Sequence, residues 1–144
     1  MKRILILFLL LGAIASHAQP KATDPKQLRE GAHNFSLQWI GWENPGKVQI
    51  THKSGDLYFV TGEQRSADKA DFVTISGTLK VLSAQELLFE GTIQTRYSDI
   101  NNGQVCDKTG TYHFLAKGER KYWRLQEMDN CGGNSVVDYV DIFF

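Results

Sequence analysis

Residues 71–82 read DFVTISGTLKVL, and this stretch decides the fold. Apolar Val73 and Ile75 alternate with polar Thr74 and Ser76. Such a period of two is typical of a β-strand with one face in the core and the other in water. The stretch therefore predicts a strand at the surface of a folded sheet.

A second stretch, residues 86–97, reads ELLFEGTIQTRY and repeats the alternation. Gly77 and Gly91 lie inside the two runs, where a curved sheet needs a bend or a bulge. From residue 34 onward no stretch keeps the 3.6-residue period of an amphipathic helix. We therefore predict an all-β chain with eight strands, at residues 34–42, 47–53, 57–64, 71–82, 86–97, 109–117, 121–128 and 136–143.

Clusters of turn-forming residues separate these strands. Residues 44–46, 54–56, 101–103 and 117–120 are rich in Gly, Asn, Asp and Pro, which favour tight reversals. Short connections favour antiparallel neighbours. We expect an eight-stranded antiparallel up-and-down barrel, which leaves no free sheet edge, with a β-sandwich as the alternative.

The two cysteines, Cys106 and Cys131, are predicted to form a disulfide across a hairpin. If Gly118 and Glu119 form a two-residue turn, cross-strand partners have numbers that add up to 237, the sum of 118 and 119. Cys106 then faces Cys131, and Phe114 faces Trp123 on the same side of the hairpin. The turn and the disulfide support each other, and no Cys-x-x-Cys motif indicates a redox role.

The N-terminal residues 1–18 have the pattern of a secretory signal peptide. Lys2 and Arg3 precede an apolar run of roughly a dozen residues, and small residues precede a cleavage point after Ala18. The run is too short to span a bilayer, so we expect no membrane span after cleavage. Cleavage would leave 126 of the 144 residues, with 14 basic and 16 acidic side chains. This size fits one domain, and this charge does not favour nucleic acid.

Between the signal peptide and the barrel, residues 19–33 are predicted to form a tether and a short helix. Asp24 suits the helix N-cap, Pro25 the first helical position and Gly31 the C-terminal stop. Residues 34–144 then form a single barrel domain.

Aromatic side chains recur along the predicted strands, and at such positions most belong to a core. An eight-stranded barrel also has room for one small ligand at its mouth. Trp42, at a strand end beside a turn, is the best candidate for a contact at the rim. The predicted ligand-binding residues are Trp39, Trp42, Phe59, Phe114 and Trp123.

This arrangement resembles the calycin group, the lipocalins and avidins. A short helix leads into a first strand that contains Trp39, Gly41 and Trp42, and meandering strands follow. Lipocalins have Gly-x-Trp at that point, whereas Gly41 directly precedes Trp42 here, and no biotin-binding set of residues matches. The resemblance covers most of the mature chain and implies a small-molecule carrier.

No pattern of residues indicates catalysis. The chain after residue 18 has His33, His52 and His113, but no Gly-x-Ser-x-Gly or His-Glu-x-x-His motif. We predict no catalytic residue, no metal site and no cofactor. The expected function is an exported, secreted or periplasmic binding protein for a small apolar or amphiphilic ligand. The alternative is a secreted protein-interaction module, such as an inhibitor of a hydrolase.

Overall fold

A computed structural model describes residues 28–133 and 135–144 of the chain, and within them the fold is all-β. Each strand pairs antiparallel with the next, and the last pairs with the first, so that the sheet closes into a barrel. The predicted eight-stranded barrel is confirmed, and the sandwich is excluded. A short 3-10 turn at Asn101–Gly103 accompanies these strands. The strands are β1 (Gly31–Leu37), β2 (Gly46–Ser54), β3 (Leu57–Arg65), β4 (Phe72–Ser83), β5 (Glu86–Arg96), β6 (Cys106–Leu115), β7 (Tyr122–Leu125) and β8 (Val140–Phe143).

The inner face of the barrel is filled with apolar side chains. In β4 the alternation holds as predicted, because Val73, Ile75 and Leu79 are fully buried. Their partners on β5 include Ile93 and Phe89, so the two strands pack the same layers of the core. The largest fully buried side chains include Phe35, Tyr58, Phe89, Phe114, Leu37, Ile50 and Leu125.

A row of glycines crosses the three longest neighbouring strands. Gly77 pairs with Gly91, and Gly91 pairs with Gly110. A Cβ atom at Gly91 would lie 2.3 Å from the carbonyl oxygen of Ser76 and 2.8 Å from the Phe89 ring. The register of β4 and β5 is unbroken at this row, so no bulge is present there. Gly77 and Gly91 instead leave room for the Phe89 ring inside the barrel.

The hairpin between β6 and β7 differs from the prediction. Gly118 has a φ of 61°, and the Arg120 amide donates to the Lys117 carbonyl at 3.4 Å, so the turn lies where expected. However, Phe114 pairs with Leu125 and not with Trp123. The strands separate after Leu115, and β8 holds β7 in the new register. A shift of two residues keeps every side chain on its original face, so Phe114 and Trp123 both stay buried.

The disulfide closes the barrel wall beyond this hairpin. Cys106 and Cys131 are bonded, with their Cα atoms 5.4 Å apart. Between the hairpin and the disulfide, the segment after β7 leaves the ladder and pairs with Val137 through Asp129. The Lys108 ammonium spans the gap by donating to the carbonyls of Glu127 and Asp129. Burial lowers the pKa of Lys108, and nearby carboxylates partly offset this effect.

The first strand begins and ends earlier than predicted, and residues 31–33, predicted to belong to the tether and helix, form its start. β1 ends at Leu37, because the Leu37 amide donates to the Gln64 side chain at 2.7 Å and the chain then turns. Trp39 and Trp42 therefore lie in the β1–β2 loop and not in a strand. Residues 28–30 are irregular, and the rest of the predicted helix, the tether and the signal peptide lie outside the described residues.

Candidate functional site

The outer face of β7 and β8 carries a group of aromatic and charged side chains around one cavity. Arg124 pairs with Asp141 and Tyr122 with Phe143, while Trp123 and Ile142 between them point into the core. Together with Trp42 from the β1–β2 loop, the outward residues line an open cavity of about 350 Å³. We call this cavity the aromatic cleft, and its lining residues are Trp42, Tyr122, Arg124, Asp141 and Phe143.

A buried ion pair forms the floor of the aromatic cleft. The Nε and Nη2 atoms of Arg124 each donate to one carboxylate oxygen of Asp141, both at 2.7 Å. The side chain of Asp141 is 1% exposed and that of Arg124 is 13% exposed. The hydrogen bonds to Asp141 raise the pKa of Arg124, so the guanidinium stays charged. Bidentate geometry of this kind fixes the position of both groups.

Two aromatic rings lie close to the guanidinium of Arg124. Its central carbon lies 4.2 Å from the ring centre of Tyr139 and 5.1 Å from that of Tyr122. The Tyr122 ring also packs against Phe143, with their centres 5.4 Å apart. Stacking on rings is a preferred environment for Arg, because the flat cation is weakly hydrated. Arg124 is therefore held rigidly in the aromatic cleft.

Trp42 reaches the aromatic cleft because its loop is attached to the inside of the barrel. The buried Gln64 amide donates to the carbonyls of Gly41 at 2.8 Å and Asn44 at 3.0 Å. Gly41, with a φ of 114°, makes the reversal that precedes Trp42. Trp42 is left 51% exposed, which makes its ring available for contact with a ligand.

Ser36 lies on β1 directly beside Asp141. Its hydroxyl is sealed from solvent and has no hydrogen-bond partner among the described residues. A buried polar atom of this kind is rare in proteins. The Ser36 hydroxyl is therefore buried without a hydrogen bond from the described residues to replace its contact with water.

The predicted ligand-binding residues do not come together. Phe114 and Trp123 belong to the core. Trp39 donates to the buried carboxylate of Asp138 at 3.1 Å and packs against Tyr97 at the end of the barrel. Phe59 points outward, 47% exposed, with the Lys53 ammonium 4.8 Å from its ring centre. Of the five, only Trp42 lies in the aromatic cleft.

Sequence reasoning missed the other residues of the aromatic cleft. Residues 120–124 combine cations with aromatic rings, and Tyr122 and Arg124 of this segment line the aromatic cleft. The partner of Arg124, Asp141, was not evident, because 17 residues separate the two and their contact depends on the pairing of β7 with β8.

A second charged pair lies apart from the aromatic cleft and joins His113 on β6 to Glu127, which follows β7. The Nδ1 atom of His113 lies 2.8 Å from Glu127 Oε1, and the His113 amide donates to Glu127 Oε2 at 2.8 Å. This contact raises the pKa of His113. Burial alone would raise the pKa of Glu127, but the hydrogen bonds from His113 leave it below its usual value. The pair links β6 to the segment after β7.

No group of three or more His, Cys, Asp or Glu side chains among residues 28–133 and 135–144 is arranged to hold a metal ion. In the same part of the chain, no helix is long and apolar enough to cross a membrane.

Comparison with known proteins places the chain in a family. The model of the PM1083 family matches residues 14–144. The chain belongs to the PM1083 family. It is 39% identical over 138 residues to "Uncharacterized protein PM1083" of Pasteurella multocida (strain Pm70), covering 91% of this chain and 87% of that protein. No solved structure matches this member of the PM1083 family. Its barrel agrees with the calycin resemblance in coarse architecture alone.

Proposed function

We propose that this protein is an exported, non-enzymatic binding protein and that it binds its ligand in the aromatic cleft. The observation that best supports this proposal is that the half-exposed Trp42 lies beside a buried Arg124–Asp141 pair with aromatic rings close to it. Binding sites typically combine apolar walls with a few fixed polar groups. The aromatic cleft has both, and its volume of about 350 Å³ lies within the usual range for small-molecule sites.

The barrel interior is a weaker candidate for the ligand site than the outer surface. Large side chains from several strands, including Phe35, Tyr58, Phe89 and Phe114, meet there with at most 2% exposure. Interiors packed in this way leave no space for a ligand without repacking. The proposed carrier therefore holds its ligand outside the barrel, unlike the lumen site that the calycin resemblance implies.

Export is part of the proposal and has its own support. The pattern of residues 1–18 is typical of a signal peptide. The Cys106–Cys131 disulfide is compatible with an oxidising compartment such as the periplasm or the extracellular medium. Expression of the full chain in a bacterial host, followed by intact-mass measurement of the exported protein, is expected to give a product that begins at Gln19.

The binding site can be tested by photocrosslinking in the exported fraction. We would replace Trp42 by p-benzoylphenylalanine and, as a matched control, Phe59, which is exposed to a similar extent but lies outside the aromatic cleft. Illumination is expected to give a defined adduct at position 42 and none at position 59, as read by intact mass. Equal labelling at both positions, or none at position 42, would show that the proposed site is wrong.

A second candidate function is supported by the kinds of residue present. Trp, Tyr and Arg are the residues that dominate the energetics of protein interfaces, and Trp42, Tyr122 and Arg124 lie together here. A secreted protein-interaction module would use the same surface. The crosslinking experiment separates the two functions, because a small ligand and a protein partner give adducts of very different mass.

A further inference from the structure

Arg124 keeps part of its hydrogen-bonding capacity unused. A guanidinium has five N–H donors arranged as a planar fork. Asp141 takes Nε and one hydrogen of Nη2, which leaves the edge formed by Nη1 and the other Nη2 hydrogen. Nη1 has no hydrogen-bond partner among the described residues. The side-chain atoms there that are both sealed from solvent and unpaired are Ser36 Oγ and Trp123 Nε1, so Nη1 is not sealed. This free edge therefore keeps contact with solvent, and Arg124 lines the aromatic cleft.

The free edge is also held in place before any ligand arrives. The rings of Tyr139 and Tyr122 lie close to the guanidinium, and Asp141 binds the adjacent edge formed by Nε and Nη2. A group that is already ordered loses little conformational entropy when it binds. The free edge matches the spacing of two oxygens of a carboxylate or a sulfonate, so it can accept such a group with both hydrogen bonds formed.

Charge around the aromatic cleft favours an anion. Asp141 is the only acidic residue in the described lining, and its charge is already matched by Arg124. Arg120 lies at the rim, 5.7 Å from the ring centre of Tyr122, and Lys121 follows it. Glu43, next to Trp42, is the opposing charge on the β1–β2 loop. Arg120 adds a cation beside Tyr122, where it attracts an anionic group to that side of the aromatic cleft.

We propose, on the basis of the function proposed above, that the ligand is a small amphiphilic anion. Its carboxylate or equivalent acidic group binds the free edge of Arg124, and its apolar body packs against Trp42, Tyr122 and Phe143. The apolar walls supply the area that a neutral polar ligand would not use. Hydrogen bonds from the free edge favour a ligand that carries a negative charge.

Two fluorescent probes that differ in one group test this inference. The dye 1-anilinonaphthalene-8-sulfonate carries a sulfonate, and N-phenyl-1-naphthylamine is the same apolar body without it. We expect the wild-type protein to bind the anionic dye at least about tenfold more tightly than the neutral one, since hydrogen bonds to charged groups are strong. Both dyes are expected to lose affinity in Trp42→Ala, because they share the apolar walls.

A matched pair of substitutions then assigns the selection to Arg124. Arg124→Lys keeps the charge pair with Asp141 but removes the free edge, so the preference for the anionic dye is expected to fall to about twofold or less. Arg65→Lys is the control, because Arg65 also pairs with a carboxylate, Glu63, and lies 5.0 Å from the ring centre of Phe72 on another face. This control is expected to keep the full preference.

The outcomes separate this inference from the function on which it rests. If the wild-type protein binds both dyes equally and Trp42→Ala weakens both, the anion is the wrong ligand class while the aromatic cleft remains a binding site. If neither dye depends on Trp42, the inference is overturned, and the crosslinking at position 42 decides the proposed function independently. The wild-type comparison of the two dyes holds even where Arg124→Lys fails to fold.

Discussion

β4 and β5, of 12 and 11 residues, pair along almost their whole length, whereas the four-residue β7 pairs with β6 only at Phe114–Leu125 and Leu115–Arg124. The long strands are held by continuous backbone ladders over an apolar core. The short strands depend on side chains, namely the Arg124–Asp141 pair, the disulfide and Lys108. The half with fewer backbone bonds thus carries the polar groups of the aromatic cleft.

The largest expected effect lies in the half with long strands. Gly91→Val would place a Cβ 2.3 Å from a backbone oxygen of β4 and 2.8 Å from the Phe89 ring, so the ladder or the core has to move. We expect a loss of about 4 kcal/mol or more in the free energy of unfolding, and a poor yield of folded protein. Urea denaturation followed by circular dichroism measures it.

Gly118→Ala is the control for this substitution. Gly118 has a positive φ of 61° but no atom within 4 Å of a Cβ added there. Gly118→Ala is expected to lower the free energy of unfolding by about 1 kcal/mol, since only the backbone conformation is strained. A similar cost for both substitutions would contradict the role assigned to the glycine row.

The disulfide is expected to have the next largest effect. It closes a separation of 25 residues, and the chain-entropy model gives about 3.5 kcal/mol for such a loop. Replacing Cys106 and Cys131 by Ala is expected to lower the melting temperature and to speed amide exchange after β7. Exchange in β4 and β5 below the melting transition is expected to change little. Uniform acceleration across the barrel would show that the two halves are not separable.

The buried ion pair is expected to come third. Asp141→Asn removes the charge partner of Arg124, and breaking a buried pair usually costs several kcal/mol. Because Arg124 keeps some contact with solvent, we expect about 2 to 3 kcal/mol, measured by urea denaturation. Glu63→Gln, which breaks the exposed pair with Arg65, is expected to cost less than about 1 kcal/mol. If both substitutions lowered the free energy of unfolding equally, burial of Asp141 would not strengthen its ion pair with Arg124.

The smallest effect concerns pH and the His113–Glu127 pair. The raised pKa of His113 means that its contribution to stability is complete at low pH and is lost as pH rises through that pKa. The lowered pKa of Glu127 means that its contribution is lost as pH falls through that pKa. The stability of the wild type relative to His113→Gln is therefore expected to be greatest between the two values.

Melting temperatures at about pH 5.5 and about pH 9 test this dependence, because these values lie on either side of the histidine titration. The difference between wild type and variant is expected to shrink at the higher pH. Arg65→Lys, which changes no group that titrates in this range, serves as the control. A difference that is the same at both pH values would show that the pair contributes nothing through its charge.

The positions of β2 to β5 could be predicted because alternation is a local property of the chain. β7 and β8, predicted at residues 121–128 and 136–143, are only four residues each. Residues 71–82 contain almost all of β4, and Cys106 with Cys131 gave one long-range contact. The register of β6 and β7 could not be predicted. It depends on the pairing of β7 with β8, which the hairpin arithmetic did not include.

The aromatic cleft was less predictable than the fold. Around Phe59 the sequence is apolar at successive positions, Leu57 to Val60, so alternation does not say which side chains face inward. Tyr58 and Val60 are buried, and Phe59 faces out. The position of Trp42 depends on Gln64, a buried amide 22 residues away that no local pattern marks.

The contact that closes the barrel joins Phe35 on β1 to Ile142 on β8. During synthesis, β1 must therefore wait for almost the whole chain before its second edge is covered. Until then the growing sheet presents an unpaired strand, a state that invites pairing with other chains. Contacts between such distant residues also slow folding. A cell that makes this protein needs either to keep the unfinished sheet apart from its copies or to delay folding until residue 142 is available.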